Sequence, residues 1–263
     1  MEMPAISIKN INKTYIDQDG NEVQALHDIN LDVAEGEFVC IVGPSGCGKS
    51  TLLEIVAGLL DATSGEVTLD GQPVHGTNRD IGVVFQDASL FPWRTVRKNV
   101  AFGLEIAGVP KEEREERLKR YISMVSLNGF ENKYPAQLSG GMRQRAGIAR
   151  TLAMNPKVIL MDEPFSAVDH LTKCTLQEEL INIRQAENKT VLFVTHDINE
   201  AVFLADRVVL LSPRPSTIQK IYEIPLEQKR GRNDPLLLKI AAEIAKDINS
   251  GGQDIPNNYW GNL

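Results

Sequence analysis

Apolar positions along this chain follow two rhythms, and the switch between them outlines its organisation. Near the start, Ile6-Ser7-Ile8 and Leu31-Asp32-Val33 alternate as half-buried strands do, separated by the polar, turn-rich stretch Asp17-Gln18-Asp19-Gly20-Asn21. Phe38-Val39-Cys40-Ile41-Val42 is instead a continuous apolar run, the mark of a strand buried on both faces. A helical pattern over 51–60 follows it. Residues 64–71 read as a strand ending in an Asp-Gly turn, and 81–85 as a short buried strand. From about 88 to 155 the strand signals vanish and the pattern is helical. Pro110 is placed to open a helix over 111–127, with Leu118, Tyr121, Ile122 and Val125 as its apolar side. The charged run 111–117 reads as the solvated face of that helix.

Buried-strand runs then return as Val158-Ile159-Leu160-Met161 and Val191-Leu192-Phe193-Val194, with a helix over 172–186 between them. The pattern therefore predicts a parallel α/β core interrupted by an all-helical insertion at about 88–155. After Ser212 the chain turns through Pro213-Arg214-Pro215, and 236–248 reads as a final amphipathic helix, for packing onto the core or, as the alternative, an autoregulatory or dimer-contact role. There is no internal repeat and no low-complexity segment.

Composition narrows the function classes. At 263 residues the chain has enough material for a large core. Its net charge of −7 argues against broad nucleic-acid binding and against adhesion to anionic lipid. No apolar run approaches the ~20 residues a membrane-spanning helix needs. Met1-Glu2-Met3-Pro4 offers neither the basic nor the apolar region of a secretory signal. Cys40, Cys47 and Cys174 show no metal-ligand spacing and suit a reducing cytosol.

The chemistry enters at Gly43-Pro44-Ser45-Gly46-Cys47-Gly48-Lys49-Ser50-Thr51, which fits G-x-x-x-x-G-K-[ST] between a strand and a helix. Its glycines let backbone N–H groups wrap a pyrophosphate, and the helix adds the positive end of its dipole. Lys49 is placed to reach the β- and γ-phosphates and the Ser50 hydroxyl to ligate Mg²⁺. This spacing predicts nucleoside triphosphate binding. Cys47 lies near the helix N-terminus, where a thiol becomes reactive; it reads equally as a small loop side chain.

Four further residues stand at carboxyl ends of core strands, where open α/β sheets bind ligands. Asp162 and Glu163 follow the strand 158–161; an Asp there can hold Mg²⁺ and a Glu can polarise the attacking water, although such acids also cap helices. Gln86 ends the strand 81–85, where an amide can contact both Mg²⁺ and that water. His196 follows the strand 191–194; the other histidines have no such placement. Leu138-Ser139-Gly140-Gly141-Met142-Arg143-Gln144-Arg145 adds a second anion site: a hydroxyl, bare backbone N–H groups and a helix end aimed one way. One triphosphate has no need of two such sites in one lobe, so the phosphate that meets this one comes from elsewhere.

With these motifs in this order, the chain resembles the ATP-binding subunits of ABC transporters over about residues 4–225. The resemblance implies a P-loop NTPase: a RecA-like parallel core with N-terminal antiparallel strands and an inserted all-helical subdomain. It implies a cassette over 4–230, with the helical part at about 88–155, and a helical tail over 231–263. In that family Tyr15 would stack on adenine, 43–51 would hold the phosphates, and Gln86 would sense the transmembrane partner while contacting the metal. Asp162 would hold Mg²⁺, Glu163 would be the catalytic base, and His196 would contact the γ-phosphate. Ser139, Gly140 and Gly141 would close on the ATP of a second protomer, and Ser166-Ala167-Val168-Asp169 would link the two sites. Met142 stands where the family more often has Gln, and Val168 replaces the usual Leu. Neither change removes a catalytic group, so an active ATPase is expected.

Leu90-Phe91-Pro92-Trp93-Arg94-Thr95-Val96, Met142 and Leu211-Ser212-Pro213-Arg214-Pro215 together resemble the nitrate/sulfonate/taurine group of bacterial importers. That resemblance implies solute import powered by ATP hydrolysis. The chain would pair with a second ATP-binding subunit, with two permease subunits docking near Gln86 and Phe91–Trp93, and act with a periplasmic or extracellular solute-binding protein. It would sit peripherally on the cytoplasmic face of the bacterial membrane. Trp93 reads otherwise as packing within the helical insertion. Competing readings are an exporter or lipid-trafficking ATPase, a soluble ABC ATPase on nucleic acid or ribosomes, and a kinase, which leaves 138–145 without a purpose.

Overall fold

A computed structural model describes residues 3–225 and 231–250. Its strands and helices, in chain order, are β1 (Ile6–Ile16), β2 (Glu22–Val33), β3 (Phe38–Val42), α1 (Lys49–Val56), β4 (Ser64–Leu69), β5 (Gln72–Pro73), β6 (Ile81–Val84), α2 (Val96–Ile106), α3 (Lys111–Met124), α4 (Gly140–Ala153), β7 (Val158–Asp162), α5 (His170–Glu187), β8 (Thr190–Val194), α6 (Ile198–Leu204), β9 (Arg207–Leu211), β10 (Ile218–Glu223) and α7 (Pro235–Ser250). A short 3₁₀ turn at Pro135–Gln137 precedes α4.

Two sheets organise these elements. The first is antiparallel, in the order β2-β1-β4-β5. The second has the order β10-β9-β3-β8-β7-β6; every pair in it is parallel except β10 with β9. The predicted parallel core, the N-terminal antiparallel strands and the helices α2 to α4 between β6 and β7 are all present. The continuous apolar strands have their predicted cause. In β3, Phe38, Cys40 and Val42 join the core under the helices, whereas Val39 and Ile41 join a second core shared with β1, β2 and α1. Both faces are therefore desolvated, at roughly 25 cal/mol per Å² of apolar area removed from water.

Helix boundaries follow local chemistry. Thr95, Ser139, Asp169 and Asp197 cap α2, α4, α5 and α6, each side chain accepting a backbone N–H three residues on. Pro110 precedes α3 as expected, and Leu118, Tyr121, Ile122 and Val125 are buried. The final helix α7 packs against α6 through Leu237, Ala241 and Ile244, as anticipated for the tail. The boundary expected at 230/231 and the stretch 251–263 touch residues outside those described.

The loop between β6 and α2 is held at its start by Gln144 and Arg150 of α4, which donate to the carbonyls of Phe85, Ala88 and Ser89, and at its end by Asn99. Asn99 is fully buried; its Oδ1 accepts from Phe91 N at 2.8 Å, and its Nδ2 donates to the carbonyls of Phe91, Arg94 and Thr95. Without it the Phe91 N–H and the Arg94 carbonyl would lose these side-chain partners, at about 1–3 kcal/mol each, whereas the Phe91 and Thr95 carbonyls keep backbone donors in Arg94 and Asn99. Trp93, carried on that loop, is 71% exposed and only tilts against Phe91. It is not core packing within the helical insertion.

Candidate functional site

The strand order explains why residues far apart in sequence gather. β3, β8, β7 and β6 are consecutive parallel neighbours, so their carboxyl ends lie side by side. Those ends carry, in spatial order, the loop 43–51, His196, the Asp162–Glu163 pair and Gln86. The chain visits them in a different order, and the crossovers do the sorting.

The loop after β3 is built to hold an anion. Gly48 precedes α1 at φ 114°, a conformation that penalises any side chain, and a Cβ there would stand 2.9 Å from Leu26 Cδ2. With glycine at that position, no side chain caps the helix and its first N–H groups are left for a ligand. The Lys49 ammonium donates to the carbonyls of Gly43 (2.9 Å) and Pro44 (3.0 Å), folded over the loop that a phosphate would share. Cys47, by contrast, is 2% exposed and packs into the core beneath the loop. Its thiol is not presented to solvent; the small-side-chain reading holds, and the loop offers only its backbone there.

Asp162 ends β7, half-buried, with the Ser50 hydroxyl close enough to oppose the effect of burial on its carboxyl. Burial pushes its carboxyl above the usual range, Ser50 opposes that shift, and the neighbouring Glu163 adds to it. A partly desolvated carboxylate beside a hydroxyl offers hard oxygen donors of the kind that suit Mg²⁺. The sign for stability follows. The fold prefers the protonated acid, so the contribution of this group is greatest below the unfolded carboxylate range and is lost as pH climbs through the raised folded value. Asp162→Asn should therefore raise the melting temperature of the nucleotide-free protein by a few degrees at neutral pH. The same change should lower Mg-dependent hydrolysis by roughly 10–100-fold. Calorimetry and a phosphate-release assay check the two halves separately.

Glu163 sits in a left-handed turn at φ 43°, with its N–H bonded to Val194 O at 2.9 Å. No helix starts there, so the capping alternative for these acids does not apply. Its Oε2 lies 3.0 Å from Nδ1 of the exposed His196. A carboxylate bonded to an imidazole at the mouth of the loop can orient a water and take its proton. Gln86 lies just beyond the end of β6, exposed, and makes no hydrogen bond among the described residues. Tyr15, near the end of β1, is partly exposed and its hydroxyl lies 3.3 Å from Thr51 Oγ1, which places the ring beside the first turn of α1.

The second anion site stands apart. Ser139 and Gly140 are exposed, and Ser139 Oγ accepts from Met142 N at 3.2 Å, leaving its own proton to donate. Gly141 is pressed against the loop 166–169: a Cβ there would be 2.8 Å from Ala167 O. Asp169 is taken up capping α5, and the Thr172 N–H bonded to it holds its carboxyl below the usual range. Among the described residues, side chains of 138–145 bond Leu138, Phe85, Val125 and Ser126 carbonyls, and none bonds the loop 43–51. Ser139, Gly140 and Gly141 are thus not brought to the phosphate loop of the same chain.

Residues that brace the site were missed in the sequence. Thr195 and Asp197 flank His196 and tie it to Glu200 and Lys173. The signal available was Asp197-x-x-Glu200, a capping pattern just before an apolar run.

A glycine loop with free helix N–H groups, a carboxylate–imidazole pair beside it and a second helix start aimed elsewhere are the arrangement expected of a nucleotide-hydrolysing cassette. Comparison with known proteins agrees. The family model described as "ABC transporter" matches residues 26–166, and the chain belongs to that family as an ATP-binding, ATP-hydrolysing subunit. Among its relatives, an uncharacterized ABC transporter ATP-binding protein of Methanocaldococcus jannaschii is 54% identical, covering 91% of this chain and 89% of its own. A nitrate import ATP-binding protein of Synechocystis sp. is 47% identical, covering 92% and 91%. The dimeric structure of a post-hydrolysis state of an ATP-binding cassette, bound to ADP and Pi, superposes with a TM-score of 0.78 at 36% identity, covering 84% of this chain and all of that one.

Proposed function

We propose that this chain is the motor of an importer for nitrate, a sulfonate, taurine or a related small solute. The observation that carries the reading is the Glu163–His196 pair, 3.0 Å apart at the ends of adjacent strands beside the phosphate loop. The nitrate-import relative supports the direction of transport and the class of solute. In this reading the loop 43–51 binds the triphosphate, Tyr15 packs on adenine, and Lys49 leaves its carbonyl partners for the β- and γ-phosphates. Glu163 takes the proton of the attacking water, and His196 holds Glu163 and contacts the γ-phosphate. Mg²⁺, when bound, would be held by Ser50, Asp162 and Gln86 and would neutralise charge on the β- and γ-phosphates.

Two copies pair head to tail, each offering Ser139, Gly140 and Gly141 to the ATP of the other; the dimeric relative bound to ADP and Pi is consistent with this. Asp169 belongs to the loop joining the two sites. Closure then gains a second set of phosphate contacts that hydrolysis removes, which is the differential affinity a switch requires. The cassette over 4–230, with the helices of 88–155 inserted and a tail from 231, is part of the same proposal. Gln86 and the exposed Trp93 beside Phe91 face two permease subunits at the cytoplasmic side of the membrane, and a solute-binding protein delivers cargo from outside. Proteoliposomes holding this chain with the permeases that co-purify with it test the reading. ATP-driven uptake of nitrate or a sulfonate that depends on the binding protein is the expected result; ATP-driven movement the other way makes it an exporter subunit.

A further inference from the structure

Behind His196 lies a chain of polar side chains that hydrolysis chemistry does not use, and it runs to the C-terminal segment. Its far end is Arg232, just before α7. The guanidinium lies over the Phe203 ring at 4.0 Å from the centroid, donates to Gln177 Oε1 at 2.6 Å and to Cys174 O at 3.0 Å, and faces Glu178 at 3.8 Å. Gln177 is 1% exposed, and its Nε2 donates to Glu200 Oε1 at 2.7 Å. The amide has one possible orientation. Arg has donors only, so it must meet the oxygen; the Glu200 carboxylate accepts only, so it must meet the nitrogen. Arg232 thereby fixes which way Gln177 points.

The buried Glu200 carboxylate passes this order onward. It is charge-balanced by Lys173 at 3.1 Å and accepts from Thr195 Oγ1. Thr195 Oγ1 in turn accepts from Asp197 N at 3.0 Å, and Asp197 accepts from Lys173 at 2.8 Å. The residues on either side of His196 are therefore pinned by one buried cluster whose outer anchor belongs to the tail. Buried networks of this kind hold one geometry while every member is satisfied and loosen when a partner is lost.

We infer that Arg232 is a positioning residue for His196, acting through Gln177, Glu200 and Thr195, so that docking of the C-terminal segment sets how well His196 is held against Glu163. The inference rests on the reading of His196 as part of the hydrolytic site. The test uses the full chain carrying ¹³C-labelled histidine. In Arg232→Ala, kcat for ATP should fall roughly tenfold while KM stays within about twofold, because orientation is lost and the phosphate loop is untouched. The ring signal of His196 should shift and broaden, with those of His27 and His75 unmoved. Arg232→Lys, which keeps one charged donor for Gln177, should recover part of both. Should the alanine variant not fold, Arg232→Met, which retains bulk over Phe203 but no donor, serves in its place. An unmoved His196 signal overturns the inference whatever happens to kcat. A shifted signal with unchanged kcat upholds the link and instead removes His196 from hydrolysis.

Discussion

Glu163→Gln should leave ATP binding intact and slow hydrolysis by roughly 10²–10⁴-fold, the range a general base supplies. The amide keeps the shape of the carboxylate, its backbone bond to Val194 and a polar contact to His196, so the turn at φ 43° has no reason to change. What it loses is the capacity to accept a proton. With hydrolysis stopped and binding retained, the protein should accumulate as an ATP-bound dimer, seen as a doubling of mass by light scattering only when Mg-ATP is present. Normal turnover would remove Glu163 as the base and move attention to its bonded neighbour His196. A persistent ATP-bound monomer would mean that closure needs the membrane partner.

Much of this site could be read from sequence because its members are contiguous motifs at strand ends. The phosphate loop, the acid pair and the Ser-Gly-Gly helix start each carry their chemistry within a few residues. Their mutual arrangement was less accessible. The order β3-β8-β7-β6 comes from crossovers whose direction depends on how helices cover both faces of the sheet. The supports were hidden for another reason. Gln177, Glu200 and Arg232 are separated by 23 and 55 residues from the partners they bond, and each looks like an ordinary polar position of a helix or loop. Asn99 reads the same way, although it is fully buried.

The fold shows a similar division. β3, β7 and β8 are legible as continuous apolar runs since both of their faces are covered. β1 and β2 were visible only at one end, because register shifts around Ile11 and Lys13 break their alternation. Asn10 and Asp28 sit there at positive φ and bond each other, a local distortion that period-two patterning does not encode. β10 is an edge strand with its own register shift, and β5 is two residues long; neither has enough pattern to read. The strand 81–85 ends one residue early, at Val84, since the Phe85 carbonyl bonds Gln144 Nε2 on α4 rather than a strand.

The placement of Ser139 leads to the other large expected effect. Ser139→Arg puts a long cation at an exposed helix start that touches no residue of its own phosphate loop. ATP binding to the monomer should be unchanged and hydrolysis should fall roughly 10²–10³-fold, as when one preorganised donor to a developing charge is removed. Loss of the helix cap costs about 1 kcal/mol, well short of unfolding a domain of this size. Mixing decides whether the segment acts in trans. In a dimer of Ser139→Arg with Glu163→Gln, one site combines the intact base of the first chain with the intact Ser139 of the second; the other site has lost both. An equal mixture forms mixed dimers about half the time, so activity should return to roughly a quarter of the unmodified protein although each variant alone is inactive. If the segment served the ATP of its own chain, every site in the mixture would carry a defect and no activity would return. Recovery therefore requires a shared site, and its absence, with both variants shown to bind ATP and to dimerise, would confine each site to one protomer.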